Sequence, residues 1–145
     1  MGESIIHFLL EQTCANIACV DEQGKPWCFS CFYAFSTEDG LLFFKSSPGS
    51  HHAMLMKNNR NIAGTVLPDK LNKLLIKGLQ FSGNILSADH PLAIKSNLSY
   101  LKKFPLSITI PGEIWTVLLD SVKLTDSSKV FAKKINWNRV EPAKV

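Results

Sequence analysis

Between Cys14 and Phe35 the chain runs apolar to Val20, passes through Asp21-Glu-Gln-Gly24-Lys-Pro26, and runs apolar again from Trp27, which describes a β-hairpin. Further strands are expected at Leu41 to Lys45 and Asn61 to Val66, within Leu74 to Ile85, and at Glu113 to Thr125. Leu79, Phe81 and Ile85 alternate with Gln80, Ser82 and Asn84, so this strand has one core face and one wet or ligand-facing side. The last strand starts apolar on both faces, and its first half should be sandwiched. A helix is expected before the first strand, with Ser4 as cap and Ile5, Phe8, Leu9 and Gln12 on one face. A second is expected at His51 to Lys57. A third, capped by Asp89, would turn Ile94, Leu98 and Leu101 toward the sheet. Six strands joined mostly by hairpin turns exclude regular βαβ alternation and predict a mainly β fold, an antiparallel six-stranded barrel with covering helices.

The 145 residues suit one domain, here 1–140, with a frayed tail at 141–145. With 46% hydrophobic and 19% charged residues, the chain can bury enough surface to exclude wholesale disorder. A formal charge of +4 favours a small anionic ligand and disfavours nucleic acid as partner, the basic end after Lys129 notwithstanding. No window reads as a membrane span and no export signal opens the chain, so a cytoplasmic protein with reduced, buried thiols is expected. Cys28 and Cys31 have redox-motif spacing, yet residues three apart on a strand point to opposite faces.

The loop Lys45-Ser-Ser-Pro-Gly-Ser-His-His52 gathers hydroxyls, a lysine and free amides at the positive end of a helix. Ser50 is placed to cap that helix, Ser46 and Ser47 to donate hydroxyl hydrogen bonds to a phosphate, and Lys45 to supply charge. An ordinary capped loop without ligand fits the same spacing. Adjacent His51 and His52 diverge by ~100° on a helix and cannot chelate one ion together, so no metal site is expected. Phosphate contact and plain exposure are their rival roles. No hydrolase elbow, phosphate-binding P-loop or dinucleotide motif is present, and the scattered acids offer no owner for acid–base catalysis. An enzyme built this way would depend on a cofactor for reactivity.

Ala63-Gly-Thr-Val66, Lys77-Gly-Leu-Gln-Phe-Ser-Gly83, Leu124-Thr-Asp126 and Phe131-Ala-Lys-Lys134 with Trp137 together resemble the FMN-binding split barrel of the pyridoxamine 5′-phosphate oxidase superfamily, specifically its uncharacterised YhbP-like group. The resemblance implies a homodimer with two flavin sites at the subunit interface, the FMN phosphate on the 45–52 loop. Where the family pattern has Arg and Lys opening the helix, this chain has His51 and His52, which weakens the phosphate clamp. By the same resemblance Ser30 and Cys31 would line the flavin ring, Lys77 and Gly78 would approach it, and Lys133 and Trp137 would reach across. Trp137 would equally serve as an anchor for the tail. The implied function is an FMN-dependent oxidoreductase of unknown substrate; its alternative is flavin or haem binding, storage or sensing without turnover.

Overall fold

Seven antiparallel strands form one sheet in the order β3-β2-β1-β4-β5-β6-β7, and β3 also pairs with β6, which closes β1 to β6 into a barrel. The computed structural model describes residues 1–128 and 133–140. The elements are α1 (Glu3–Glu11), β1 (Cys14–Val20), β2 (Pro26–Ser36), β3 (Leu41–Ser46), α2 (His51–Asn58), β4 (Asn61–Val66), β5 (Lys77–Ile85), α3 (Pro91–Lys103), a 3₁₀ helix (Pro105–Thr109), β6 (Glu113–Asp126) and β7 (Lys133–Asn138). Strand β6 carries the closure. Its first half pairs with β3 through Glu113 to Leu118, and its second half pairs along the same edge with β7 through Ser121 to Asp126. The hand-over falls at a bulge, where the register of β5 against β6 slips between Ser82 and Gly83. Asp120, skipped there, accepts a hydrogen bond from Asn84 Nδ2 at 2.6 Å. Gly83 permits the close approach, because a Cβ there would lie 2.4 Å from the Leu118 carbonyl oxygen.

Alternation on the strands builds two cores. Leu42, Phe44, Val117 and Leu119 point into the barrel with Ile17 and Tyr33. Leu41, Phe43 and Leu118 point outward, where Ala93 and Tyr100 of α3 cover them. The first half of β6 is therefore buried on both faces, as its sequence predicts. Helix α1 buries Ile5, Phe8 and Leu9 in the barrel core, and Tyr33 Oη donates to the Leu9 carbonyl at 2.7 Å. At its end Gln12 Oε1 accepts from the Asp69 amide, while Thr13 donates to the Asp69 carboxylate through its amide and its hydroxyl.

Several expectations are corrected. The N-cap of α1 is Gly2, with no side-chain cap, and Ser4 lies within the helix. The N-cap of α3 is His90, whose Nδ1 accepts from the Leu92 amide; Asp89 sits one residue too early. Helix α3 faces the sheet with Ala93, Ser96 and Tyr100, leaving Ile94 and Leu98 exposed. The small residues Ala93 and Ser96 lie on the side of the helix set against the outer face of β2, β3 and β6, a packing that hydrophobicity alone does not reveal. The run from Leu74 becomes strand only at Lys77. Cys19 is buried and Cys31 half-buried, but Cys14 and Cys28 are exposed on the barrel exterior. Cys28 and Cys31 do lie on opposite faces of β2, and burial pushes the Cys31 thiol up to about 12. The basic tail contains β7, which lies against the barrel through Ile135 and Trp137. Residues 141–145, expected to fray, lie outside the described residues.

Candidate functional site

The short loop between β3 and α2 folds around its own serines. Ser50 Oγ donates to the Ser47 carbonyl at 2.8 Å and accepts from the Ala53 amide at 3.3 Å, capping α2 as its position predicts. Ser46 Oγ hydrogen-bonds His52 Nε2 at 2.5 Å. The His52 ring stacks on Phe29 with centroids 3.8 Å apart and planes within 10°, and His51 meets the Trp27 ring edge-on at 4.9 Å. Burial, then the neighbouring His51, lowers the His52 pKa, so the stacked imidazole is neutral at neutral pH. Among the described residues the backbone amides of His51 and His52 have no acceptor, as the first turn of a helix leaves them. Gly49 keeps the approach open, since a Cβ there would meet nothing within 4 Å. The result is a hydroxyl and amide cradle at a positive helix end, with no permanent cation in it among the described residues.

The structure brings together Ser46, Ser47, Ser50, His51 and His52, and places the other predicted residues elsewhere. Lys45 turns away from the loop, and its Nζ donates to the Ser107 carbonyl at 2.6 Å. On the face of β3 opposite Phe44, the Lys45 ammonium serves Ser107 rather than the serines of the loop in this structure. Ser30 stands on the barrel exterior, its hydroxyl donating to Asn16 Oδ1 at 2.7 Å, whereas Cys31 points inward. Lys77 and Lys133 line a hollow of 660 Å³ beside α1. Lys77 pairs there with Asp126 at 3.7 Å, and Gly78 follows it on β5. Trp137 packs against the barrel core beneath Arg139, whose guanidinium reaches the carbonyls of Leu119, Asp39 and Gly40. Within one chain, then, Trp137 is an anchor for the tail.

Sequence reasoning missed the aromatic platform. Trp27 and Phe29 are two residues apart on β2 and so share a face, the same face the histidine pair meets. That period-two aromatic pair was the available signal. The exterior of the sheet also carries a polar row that pairing registers make visible: Ser30, Asn16, Thr65, Gln80, Lys123 and Asn136 stand side by side on six successive strands.

A closed six-stranded antiparallel barrel with α2 set against a serine loop defines the split-barrel fold of FMN-binding, pyridoxamine 5′-phosphate oxidase-like proteins. A pyridoxamine 5′-phosphate oxidase-related, FMN-binding protein from Nostoc punctiforme superposes with a TM-score of 0.66 at 12% identity, covering 94% of this chain and 88% of that one. A heme binding protein from Mycobacterium smegmatis superposes with a TM-score of 0.74 at 9% identity, covering 90% of this chain and 55% of that one. No family model matches the chain. A UPF0306 protein from Yersinia pseudotuberculosis serotype O:3 (strain YPIII) is 34% identical over 140 residues, spanning 95% of this chain and 94% of that protein. The chain belongs to the UPF0306 family. Among the described residues no helix is long and apolar enough to cross a membrane.

Proposed function

We propose that this chain is a flavin-binding, oxidoreductase-like protein that holds the phosphate of FMN on the 46–52 loop, as a cytoplasmic homodimer. The observation that carries the reading is the pair of acceptor-free amides at His51 and His52, at the end of a serine loop whose Ser46 and Ser50 hydroxyls are held by His52 and by the helix cap. A dianion there would meet the helix dipole and two N–H donors, and Ser46 would choose between it and His52. Bound FMN would supply hydride and single-electron chemistry there. The chain's own part is to seat the phosphate and to offer Trp27 and Phe29 as an aromatic wall near it. Lys77, Gly78, Lys133 and Trp137 lie away from the loop within one subunit, the arrangement expected if a second copy completes each site.

The neutral cradle supports only moderate affinity, because Lys45 is engaged at Ser107 and His52 is uncharged. The same lack of cations and of acid–base groups on the loop favours the second reading, flavin or haem binding without turnover. Titration of the purified protein with FMN, followed by visible absorption and by reduction with NADH, separates them. Saturable FMN binding with nicotinamide-dependent bleaching supports the oxidoreductase; FMN or haem binding without bleaching supports storage or sensing. In the Ser50→Ala, His51→Ala variant FMN affinity should fall roughly tenfold while the fold persists. Unchanged affinity would discard the loop as the phosphate site.

A further inference from the structure

A second cavity, of 670 Å³, opens where the far end of α2, the start of β6 and the α3–3₁₀ segment meet. It lies within the usual size range of small-molecule pockets, ~300–1,000 Å³. Its wall is apolar where it adjoins the two cores, through Met56, Ile85, Leu86, Leu101 and Ile114. Its cations are Lys45, Lys57 and Arg60, against one acid in the lining, Glu113. Asp89 stands near Arg60, and its carboxylate is held below its ordinary pKa by a hydrogen bond from Ser87 first and by the charge of Arg60 among the lesser causes. Even with both acids counted, cations outnumber them. Lys45 belongs to this cavity rather than to the serine loop, since it is drawn here by the Ser107 carbonyl.

Two residues of the lining carry buried polar atoms without a partner among the described residues, the indole Nε1 of Trp115 and the hydroxyl of Thr116. Trp115 is 9% and Thr116 1% exposed. Both atoms are closed off from the open space, so they stand behind the cavity wall, and the Trp115 indole is a reporter of binding rather than a contact. The serine loop needs none of these residues except the backbone of Lys45; Lys57 lies in the last turn of α2 and Arg60 two residues beyond the helix, at the end opposite the capped first turn.

From this conjunction we infer that the cavity is a binding site for a small amphipathic carboxylate, its anionic head between Lys57 and Arg60 and its apolar body along Met56, Leu101 and Ile114. The site is separate from the flavin reading and stands whether or not FMN binds. An uncharged molecule of the same shape would leave the cationic mouth unanswered, which makes the head group the selective element. Both cationic side chains are exposed, so their removal leaves the fold intact.

The test is an NMR titration of ¹⁵N-labelled protein with sodium decanoate below its micelle concentration, reading the indole N–H of Trp115. Decan-1-ol serves as the uncharged control, and FMN titration is run in parallel as a check on the loop. The expected result is a saturable shift of the Trp115 indole signal, with decan-1-ol binding roughly tenfold or more weaker. Affinity for decanoate should fall by a similar factor in the Lys57→Gln, Arg60→Gln variant, with FMN affinity unmoved. A Trp115 signal that stays still or drifts without saturating would overturn the proposal. So would equal binding of the alcohol, or decanoate affinity untouched by the double substitution.

Discussion

Helices α1 and α2 both pack against the barrel, yet they are built on opposite principles. Helix α1 has no side-chain cap and buries Ile5, Phe8 and Leu9 completely or nearly so, with Tyr33 and Asp69 tying down its end. Helix α2 buries only Ala53 and Met56, and devotes its first turn to a serine cap, two imidazoles and two unanswered amides. The first is held by apolar area, which has no direction; the second is held by directional groups that a ligand can recruit. On the proposed phosphate reading, stability and ligand binding are separable in this fold, α1 carrying the first and α2 the second.

The sharpest way to break that contrast is Phe8→Ala. Removal of a ring that is 2% exposed should cost about 3–5 kcal/mol in denaturant unfolding, whereas Met54→Ala on the exposed face of α2 should stay within about 0.5 kcal/mol. Comparable losses at the two positions would erase the distinction. Ser50→Ala comes next, with an expected loss of about 1 kcal/mol from the missing cap. A loss as large as that of Phe8→Ala would make the loop a structural element rather than a ligand cradle.

His52→Phe should change stability at neutral pH by less than about 1 kcal/mol, since the stack on Phe29 survives and only the Ser46 contact goes. Its signature lies in the pH profile. Burial holds the folded His52 below its ordinary value of 6.5, so the unfolded chain takes up the proton first and stability declines as pH falls below that value. His52→Phe should flatten that decline, as read by thermal unfolding between neutral and mildly acid pH. The smallest effect is expected of Asp69→Asn. The hydrogen bonds from Thr13 depress the folded carboxyl, so its contribution is present above the ordinary carboxylate value and disappears as pH falls through the depressed one. The wild-type protein should thus lose a small increment of stability in acid that the variant never had.

The barrel was legible because its strands alternate and its turns carry Gly, Pro and Asp; the hairpin, the capped α2 and the doubly buried start of β6 all follow from local pattern. Strand β7 was missed although Ile135 and Trp137 alternate with polar residues, because four charged or amide side chains made the segment read as a tail. The orientation of α3 was not legible at all. Hydrophobic periodicity selects Ile94, Leu98 and Leu101, but packing on the outer face of β2, β3 and β6 selects Ala93, Ser96 and Tyr100. At the site, the serine cap could be read from spacing, while the destination of Lys45 depends on a carbonyl 62 residues later in the chain. Likewise the Phe29–His52 stack joins elements that only the closed barrel brings together.

The most direct measurement compares FMN with riboflavin, which has the same ring and no phosphate, by quenching of flavin fluorescence on the same protein preparation. A phosphate cradle at residues 46–52 predicts FMN binding at least roughly tenfold tighter, with the gap closing in the Ser50→Ala, His51→Ala variant. Equal affinity for the two flavins, or a gap that persists in the variant, would contradict it.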